Sequence, residues 1–253
     1  EKGEMACGEY GEGKMSSPRQ IYAYIDHYFN KRNLVKSKNF KALVTAGPTR
    51  EYIDPVRYIS NESSGKQGYE IALALDRLGI KTTLIIGPSN LTTQKNIKTK
   101  KIVTANELLI ETKKSLPVDV AVCAAAVSDF KPVVQNKNKL KKNQNNIKPI
   151  KIEKNKDILE YLGKNNEHRP KLVVGFSAET ENVNKNSITK MKKKNCDLII
   201  ANNVSKKGIG FNSDYNEVSI IDNNGNIKII KKNKKSYIAS KIAEVILDKL
   251  LVD

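Results

Sequence analysis

Short apolar runs alternate with amphipathic stretches from Phe40 onward, and this alternation restricts the possible folds more than any other feature of the sequence. Strands that are apolar throughout are typical of parallel sheets whose two faces are covered by helices. The pattern therefore predicts an α/β fold with a mostly parallel sheet and helices on both faces. The predicted strands are Ala42–Thr45, Thr82–Ile86, Ile102–Thr104, Val118–Ala124, Leu172–Phe176 and Leu198–Ala201, and the predicted helices cover residues 66–78, 105–115, 157–163 and 182–194.

Two segments depart from this alternation. Lys131–Lys154 is long and rich in lysine and asparagine, and a loop of this length is either functional or disordered. Val218–Ile221 and Ile227–Ile230 flank Asn223-Asn224-Gly225, which is a typical signal for an antiparallel hairpin. A final helix is predicted over Lys235–Leu251. We therefore expect a long flap and a C-terminal hairpin in addition to the main sheet.

The first residues differ in composition from the rest of the chain. Glycines come first, then a short helical pattern over Gln20–Phe29, then the basic stretch Asn30–Asn39, which we interpret as a linker. The sequence opens on Glu1 within a patterned segment, so we expect a fragment of a longer protein. Its two parts are predicted to be residues 1–38 and residues 39–253.

The net charge of +18 and the pI near 9.6 raise the question of an anionic partner. The lysines are scattered among asparagines, as in Asn136-Lys137-Asn138-Lys139, and the few aromatic residues do not interleave with the basic runs. This pattern favours a general lysine and asparagine bias over a nucleic-acid surface. A nonenzymatic basic binding module stays open as a rival, and it predicts tight binding to nucleic acid that weakens steeply with salt.

The few cysteines and histidines argue against several kinds of site. Cys7, Cys123 and Cys196 are widely spaced with no CxxC pair, which argues against disulfides and zinc. With only His27 and His168, a histidine-built metal site or catalytic triad is not expected. No apolar run reaches membrane-spanning length and the first residues do not form a signal peptide, so we expect a cytoplasmic protein.

A phosphate-binding loop is predicted between the strand Ala42–Thr45 and the helix that begins at residue 66. Residues 47–68 place an arginine, a carboxylate and an asparagine ahead of the helix, which is more than a simple turn requires. Serines there occupy N-cap positions, and glycines let backbone N–H groups approach an anion at the helix N-terminus. An ordinary strand–helix turn stays open from the local sequence alone. The candidate phosphate-binding residues are Gly47, Ser63, Ser64, Gly65, Lys66 and Gly68.

Small and polar residues also follow the later strands, at the sheet edge where ligands of such folds bind. Ala124–Ala126 allow close backbone approach, and Asp129 could accept a hydrogen bond from a base or ribose or could hold a metal. Phe176 follows the fifth strand and could cover a base, and the sixth strand leads through Asn202-Asn203 to Gly208–Asp214. A tight turn capped by Asp129 stays open, and lysines near these strand ends are ordinary surface charge by default.

A nicotinamide-dependent oxidoreductase is the main rival among enzymes. Tyr237 and Lys241 have the Tyr-x-x-x-Lys spacing of short-chain dehydrogenases, but they lie near the C-terminus, after the hairpin. The glycine loop does not follow G-x-G-x-x-G, and the second strand ends in Gly87-Pro88 rather than in an acidic residue. A C-terminal amphipathic helix is therefore the favoured interpretation, and failure to bind NAD(H) or NADP(H) would exclude the rival.

Four stretches, taken together, resemble the phosphopantothenoylcysteine synthetase family, also called phosphopantothenate–cysteine ligase. They are TAGPTREYIDPVRYISNESSGKQGYEIA, CAAAVSDFKP, VVGFSAET and LIIANNVSKKGIGFNSD, and they occur in family order and at family spacing over residues 40–250. The resemblance implies a Rossmann-like domain that acts in coenzyme A biosynthesis. The carboxylate of 4′-phosphopantothenate attacks CTP, with Mg²⁺ present, to give an acyl-cytidylate and pyrophosphate. The amine of L-cysteine then displaces CMP, which gives phosphopantothenoylcysteine.

The N-terminal part resembles the end of the flavin-dependent phosphopantothenoylcysteine decarboxylase, which many bacteria fuse ahead of the synthetase. Met5-Ala6-Cys7-Gly8 and the Gly11-x-Gly13-Lys14 pattern carry this resemblance, although the family more often has arginine at the position of Lys14. The resemblance implies that Cys7 donates a proton in the full-length parent, which uses FMN. The flavin-binding portion is expected to lie upstream, so this fragment alone should not decarboxylate.

The family match also assigns roles to single residues. Asn61 should hold the pantothenate carboxylate and its acyl-cytidylate, and Lys139 should neutralise phosphate charge from a flap that closes over the intermediate. The chain has Lys156 where the family usually has proline and Asn138 where it usually has glutamate. The match does not identify metal ligands. The residues expected to contact CTP are Ala124, Ala125, Ala126, Asp129, Lys139, Lys156, Asp157, Ile158, Leu159, Phe176, Lys190 and Lys194.

The resemblance finally implies a set of partners. They are CTP, 4′-phosphopantothenate, L-cysteine and a second copy of the chain, in a homodimer whose interface includes the exchanged flap and the hairpin. Bacterial relatives use CTP and eukaryotic relatives favour ATP, and the decarboxylase-like tail points to the bacterial type. Neither a membrane nor nucleic acid is expected as a partner.

Overall fold

The structure is a computed structural model that describes residues 2–4, 7, 10–12, 15–94, 97–141, 149–164, 167–205, 208–210 and 213–252. Contacts divide the chain into two units, Glu1–Asn39 and Phe40–Asp253. The first unit contains two short antiparallel strands, β1 (Lys2–Glu4) and β2 (Tyr10–Glu12), and the helix α1 (Pro18–Lys38).

The helix α1 is longer than its sequence pattern predicted. It begins with a capping box, because Gln20 N–H donates to Ser17 Oγ at 3.3 Å and Ser17 N–H donates to Gln20 Oε1 at 3.0 Å. The helical pattern was predicted to end at Phe29, whereas α1 continues through the basic stretch to Lys38. That stretch contains no proline or glycine to end a helix, and it ends at Asn39, whose φ of 51° lies in the left-handed region.

The second unit is built on one large sheet. Eight strands form it in the order β14-β13-β12-β11-β8-β3-β6-β7. The strands of this unit are β3 (Lys41–Ala46), β4 (Arg50–Tyr52), β5 (Tyr58–Ser60), β6 (Lys81–Ile86), β7 (Lys98–Lys101), β8 (Val120–Cys123), β9 (Phe130–Pro132), β10 (Ile152–Lys154), β11 (Leu172–Glu179), β12 (Leu198–Asn203), β13 (Tyr215–Asp222) and β14 (Ile227–Lys234). Its helices are α2 (Lys66–Arg77), α3 (Ala105–Ser115), α4 (Ile158–Lys164), α5 (Val183–Lys194) and α6 (Lys235–Val252).

The strand order is that of a doubly wound nucleotide-binding fold. Six neighbouring strands of the sheet, β7, β6, β3, β8, β11 and β12, are parallel to one another. The strands β13 and β14 add an antiparallel hairpin next to β12. Counted along the chain, the parallel strands have the order 3-2-1-4-5-6, which reverses between β3 and β8. Ligands of such sheets bind beyond the carboxyl ends of the strands at that reversal. The predicted Rossmann-like sheet with a C-terminal hairpin is confirmed.

Helices cover both faces of the sheet, as the apolar strands require. Leu43, Ala121, Val173 and Ile199 form one core with residues of α3, α4 and α5. Their strand neighbours Val44, Val122, Val174 and Ile200 are also buried, and they point to the opposite face, where α2 and α6 pack. Each fully buried aliphatic side chain contributes about 1.5–3 kcal/mol through the hydrophobic effect. Within the described ranges, no helix combines the length and the apolar character needed to cross a membrane.

One predicted strand is misplaced. The pattern predicted Ile102–Thr104, whereas β7 is Lys98–Lys101 and pairs with β6 at the edge of the sheet. Its residues are Lys-Thr-Lys-Lys, and lysines suit an exposed edge strand because they discourage pairing with another chain. A strand of this composition has no apolar signal in the sequence.

Two short hairpins stand outside the main sheet and were not predicted. The strand β4 pairs with β5 directly ahead of the glycine loop. The strand β9 pairs with β10, so these two strands close the base of the predicted flap, with Val133 N–H donating to Lys151 C=O at 3.0 Å. Residues 142–148 of the flap lie outside the described residues.

Candidate functional site

Two clefts open near the carboxyl ends of β3, β8 and β11. The α4–α5 cleft has a volume of about 580 Å³, and its walls include Lys156–Leu159, Lys190 and Lys194. The glycine-loop cleft has a volume of about 540 Å³, and its walls include residues 60–68 and Ala124–Val127. The two clefts meet along a common wall. That wall consists of Ala125, Val127, Asp129, Phe176 and Lys190.

The turn that starts α2 differs in detail from the prediction. Ser63 and Ser64 were expected at the N-cap, but the N-cap is Gly65, with φ of 76° and no capping side chain. The two hydroxyls instead support the turn before it, since Gly65 N–H donates to Ser63 Oγ at 3.2 Å and Lys66 N–H donates to Ser64 Oγ at 3.4 Å. A left-handed residue at this point favours glycine. The first turn of α2, Lys66–Gly68, lines the glycine-loop cleft.

Gly68 is required by packing. A Cβ atom there would lie 2.7 Å from Ala46 Cβ and 3.2 Å from Ala124 Cβ, so only glycine lets α2 start this close to the ends of β3 and β8. Gly47 lines neither cleft, and it contacts the loop from behind, near Gly65 and Gly87. The other candidate phosphate-binding residues all line the glycine-loop cleft. They are Ser63, Ser64, Gly65, Lys66 and Gly68.

Asn61 stands on the segment that enters the glycine loop. Its Nδ2 donates to Val127 C=O at 2.8 Å, which fixes the amide against the common wall. The Val127 segment is held in turn by Thr49, whose Oγ1 accepts from Ser128 N–H at 3.0 Å. The orientation of Asn61 therefore depends on the chain following β8 as well as on its own loop.

The two lysines of α5 line the α4–α5 cleft, as their i, i+4 spacing predicted. Lys190 Nζ donates to Phe176 C=O at 2.9 Å and also reaches the glycine-loop cleft. Lys194 Nζ forms ion pairs with Glu160 at 2.7 Å and with Asp157 at 3.0 Å. Burial lowers the pKa of Lys194, but these two carboxylates outweigh it and leave the pKa raised.

The carboxylates beside Lys194 belong to the start of α4. Asp157 caps this helix, because its Oδ1 accepts from Glu160 N–H at 2.8 Å. Glu160 bonds both Lys164 and Lys194, and these two cations lower its pKa to about 2. Lys156, Ile158 and Leu159 complete this wall of the α4–α5 cleft.

Lys139 is the predicted site residue of the flap, and it lines neither cleft. Its side chain is exposed. The next residue is anchored, since Leu140 N–H donates to Asp54 Oδ2 at 3.2 Å and Leu140 C=O accepts from Arg57 Nη2 at 2.7 Å. The backbone next to Lys139 is therefore fixed even though its ammonium is solvated.

Asn202, which the sequence analysis placed after the sixth strand, lines the glycine-loop cleft, and so do Gln67, Asn216 and Lys235, which were not predicted as site residues. Lys235 is buried at the start of α6, and its Nζ donates to Gly210 C=O at 2.8 Å. Burial and then the charge of Lys66 lower the pKa of Lys235. The only signal in the sequence was a lysine at the predicted start of the last helix, which is not specific.

The cysteines do not supply a nucleophile in this unit. Burial raises the pKa of Cys123 far above its usual range, and burial followed by the charge of Asp197 raises the pKa of Cys196 to about 11. Both thiols are therefore protonated at neutral pH. Cys7 belongs to the N-terminal unit and is exposed.

Two other kinds of site were tested against the geometry. In the part of the chain that the structure describes, no group of three or more histidine, cysteine, aspartate or glutamate side chains could hold a metal ion. The Tyr-x-x-x-Lys pair lies on α6 outside both clefts, where Lys241 bonds Glu244 at 2.8 Å and stands 5.7 Å from the ring centre of Tyr237. The Tyr237–Lys241 pair therefore does not account for either cleft.

Comparison with known proteins agrees with this fold. Residues 37–250 match the protein family described as DNA/pantothenate metabolism flavoprotein C-terminal domain. The chain is 40% identical over 245 residues to the coenzyme A biosynthesis bifunctional protein CoaBC of Haemophilus influenzae, and 38% identical over 254 residues to that of Escherichia coli K12. These matches cover 96% and 99% of the chain but only 60% and 61% of the relatives.

A solved structure shows the same architecture. The crystal structure of the C-terminal domain of CoaBC superimposes with a TM-score of 0.71 at 32% sequence identity. The match covers 85% of this chain and 97% of that domain. The described chain therefore spans about three fifths of the length of its curated relatives, in the part that corresponds to their C-terminal domain.

Proposed function

The chain belongs to the family of DNA/pantothenate metabolism flavoprotein C-terminal domains, and from this premise we propose that its Phe40–Asp253 unit is a CTP-dependent phosphopantothenate–cysteine ligase of coenzyme A biosynthesis. The relatives named above are coenzyme A biosynthesis proteins, which supports the pathway. The single observation that carries the reaction is the pair of clefts that meet at a common wall.

A ligase of this kind has to hold two large anionic substrates with their reacting groups in contact. Each cleft has a volume in the range of small-molecule sites, and the two share Asp129, Phe176 and Lys190. We assign CTP to the α4–α5 cleft and 4′-phosphopantothenate to the glycine-loop cleft. The α-phosphorus of CTP and the pantothenate carboxylate then meet at the common wall, which turns a bimolecular reaction into a local one.

The first step forms a bond between a carboxylate oxygen and the α-phosphorus and breaks the bond from that phosphorus to the bridging oxygen, so that pyrophosphate leaves. Negative charge gathers at the phosphorus, and fixed cations and N–H donors stabilise it. Lys190 lies at the common wall, the first turn of α2 offers N–H groups, and Lys139 brings a further charge from the flap. We assign the cytidine contacts to Asp129 and Phe176 at the common wall and to the residues at the start of α4, whereas Ala124 lines the glycine-loop cleft.

The second step forms the amide. The amine of cysteine attacks the acyl carbon, the carbon–oxygen bond to CMP breaks, and the amine loses a proton to solvent. Asn61 is suited to the intermediate because its amide is fixed by Val127 and adds no charge to an anionic site. No protein thiol or imidazole is needed, which agrees with the raised pKa values of Cys123 and Cys196.

Magnesium enters this proposal with the nucleotide, whose phosphates it would bind and whose charge it would reduce. Asp129 is a single carboxylate at the common wall, and in the described residues it has no cluster of partners that would form a protein-held metal centre. The roles proposed for Lys139, Lys190 and Asn61 therefore do not depend on a metal ion held by the protein.

The proposal extends to the longer parent and to its assembly. We infer that the parent decarboxylates the ligase product with FMN, with Cys7 as the proton donor, and that the present chain lacks that activity. We also infer a cytoplasmic homodimer built on the flap and the hairpin. Exposed apolar side chains at Val134, Ile150 and Ile229 support an interface there.

Pyrophosphate release by the purified chain tests the function. The assay contains 4′-phosphopantothenate, Mg²⁺ and either CTP or ATP, with and without L-cysteine, and omission of 4′-phosphopantothenate is the blank. We expect release with CTP in excess of ATP, and phosphopantothenoylcysteine only when cysteine is present. A folded dimer that releases no pyrophosphate above the blank would contradict the proposal for this chain.

A further inference from the structure

The turn Asp54–Arg57 takes no part in either cleft, yet its Asp54 carboxylate accepts five hydrogen bonds. The Asp54 side chain is fully buried. Its Oδ1 accepts from Val56 N–H and from Arg57 N–H, both at 2.9 Å. Its Oδ2 accepts from Arg57 Nε at 2.9 Å and from Arg57 Nη2 at 2.6 Å. The turn is therefore rigid before any other segment touches it.

The flap is tied to this turn at two points. Leu140 N–H donates to Asp54 Oδ2 at 3.2 Å, while Arg57 Nη2 donates to Leu140 C=O at 2.7 Å. Asn136 N–H donates to Ile53 C=O at 2.9 Å. These bonds join segments more than eighty residues apart in sequence, and they enclose Lys139 between Asn136 and Leu140.

The donors around Asp54 favour the charged form of its carboxyl group. Burial alone raises the pKa of this carboxyl, but the N–H donors of Val56, Arg57 and Leu140 outweigh burial and hold the pKa well below its usual range. A buried carboxylate that gains this many charge-assisted hydrogen bonds is costly to replace, because any substitution leaves several donors unsatisfied. The bonds from Val56 and Arg57 lie within the turn, whereas the bond from Leu140 joins the turn to the flap.

We propose that Asp54 is a positioning residue for the ligase reaction, which acts by fixing the backbone at Leu140 and thereby sets where Lys139 leaves the body of the domain. This inference rests on the proposed function only for its effect on catalysis. The anchoring itself is a property of the chain that can be measured without substrate. An exposed lysine on an unanchored loop would sample many positions and would lose conformational entropy when the substrate binds. Fixing the adjacent backbone beforehand lowers this entropic cost of binding.

A double-mutant cycle tests the catalytic part. Asp54→Asn keeps the shape of the side chain but removes its charge and replaces one acceptor oxygen by an NH2 group, which weakens the attachment of Leu140, and we expect CTP-dependent pyrophosphate release to fall by about tenfold through kcat. In the Lys139→Gln background the same substitution should change the rate by less than about twofold, because the group that Asp54 positions is already gone. Multiplicative effects of the two substitutions would overturn the proposal, since they would show that Asp54 acts on the fold in general.

Limited trypsin digestion tests the anchoring without substrate. We expect Asp54→Asn to accelerate cleavage after Lys137, Lys139 and Lys141 by about tenfold, because cleavage requires local opening of the backbone. Asp119→Asn is the matched control. Asp119, like Asp54, lines neither cleft and accepts from a distant backbone N–H, in this case that of Lys41 at 2.8 Å. Equal cleavage rates in Asp54→Asn and in the unsubstituted chain would overturn the proposal whatever the assay of function shows.

A second variant covers the case in which Asp54→Asn does not fold. Arg57→Lys keeps the charge beside Asp54 but cannot bond Asp54 and Leu140 together with a planar fork. We expect it to reproduce the faster flap cleavage and the non-additivity with Lys139→Gln. If the unsubstituted chain releases no pyrophosphate but the difference in cleavage rate is present, the proposed function is wrong and the anchoring is confirmed. If the chain releases pyrophosphate but the cleavage rates are equal, the anchoring is wrong and the proposed function is unaffected.

Discussion

The flap side and the sheet side of the candidate site provide positive charge in different ways. On the sheet side, Lys190 and Lys194 extend from α5, and both ammonium groups are already bonded to protein atoms. On the flap side, the Lys139 side chain is exposed, and only the backbone beside it is fixed. The ammonium groups on the sheet side are therefore positioned before substrate binds, whereas we expect the ammonium group of Lys139 on the flap side to be positioned only by the substrate.

This difference separates a structural charge from a catalytic one. The charge of Lys194 is matched by Glu160 and Asp157, so an incoming phosphate would have to compete with two carboxylates. Lys190 is bonded to a neutral carbonyl and keeps its net charge for a ligand. Lys139 keeps its charge and also its freedom. We expect the effect of removing each lysine on catalysis to follow that order, with Lys139 first and Lys194 last.

Lys139→Gln should have the largest effect. Loss of a charge that acts on the transition state should lower CTP-dependent pyrophosphate release by about 10²-fold, or about 3 kcal/mol. The matched control is Lys137→Gln, which removes an exposed charge two residues away on the same flap. A decrease of less than about threefold, under about 0.7 kcal/mol, would identify Lys139 as surface charge and make the flap side inert.

Asn61→Asp should have the next effect and should divide the two half-reactions. A carboxylate at this position faces Val127 C=O and adds negative charge beside an anionic intermediate. We expect pyrophosphate release to persist while conversion of the acyl-cytidylate by cysteine slows by about 30-fold, or about 2 kcal/mol. Quenched reactions that quantify the intermediate provide the measurement, with Asn184→Asp on the exposed surface of α5 as the charge control. Full activity in both half-reactions would remove Asn61 from the mechanism.

Lys190→Gln should show a smaller effect on both substrates. This lysine belongs to both clefts, so its removal should raise KM for CTP and for 4′-phosphopantothenate and lower kcat/KM by about tenfold. Lys185→Gln, an exposed lysine on the same helix, controls for net charge. An effect confined to one substrate would show that the clefts do not share this wall in the working enzyme.

The sheet side could largely be predicted from the sequence, because it depends on periodic patterns. The strands that are apolar throughout, the i, i+4 spacing of Lys190 and Lys194 and the small residues after β8 all carry local signals. The edge strand Lys98–Lys101 has no such signal in the sequence, because lysines at an exposed edge prevent pairing with other chains and do not pack into the core. The sequence pattern thus predicts the elements whose residues are apolar because they are buried.

The remaining features depend on contacts between distant segments, which no local pattern encodes. Lys235 reaches the glycine-loop cleft because α6 packs on α2, and Leu140 is anchored because β4 and β5 present the Asp54 turn to the flap. Ser63 and Ser64 were predicted as caps from residue type alone, but the N-cap is Gly65, whose left-handed backbone packs against Gly47. In these cases tertiary packing decides the role of the residue.

Lys194→Met should have the smallest effect on catalysis, less than about threefold, and its main effect should be on stability. Glu160 bonds Lys164 and Lys194, and its pKa of about 2 lies below its usual value, so this stabilisation is present above the usual carboxyl pKa and is lost as the pH falls toward 2. The raised pKa of Lys194 makes its contribution vanish at high pH, as the pH rises through that pKa. Urea unfolding between about pH 5 and pH 3 should therefore show a smaller loss of unfolding free energy for Lys194→Met than for the unsubstituted chain or the exposed control Lys192→Met. Parallel pH dependence in all three proteins, together with a large loss of activity in Lys194→Met, would mean that Lys194 serves the nucleotide and not the junction between α4 and α5.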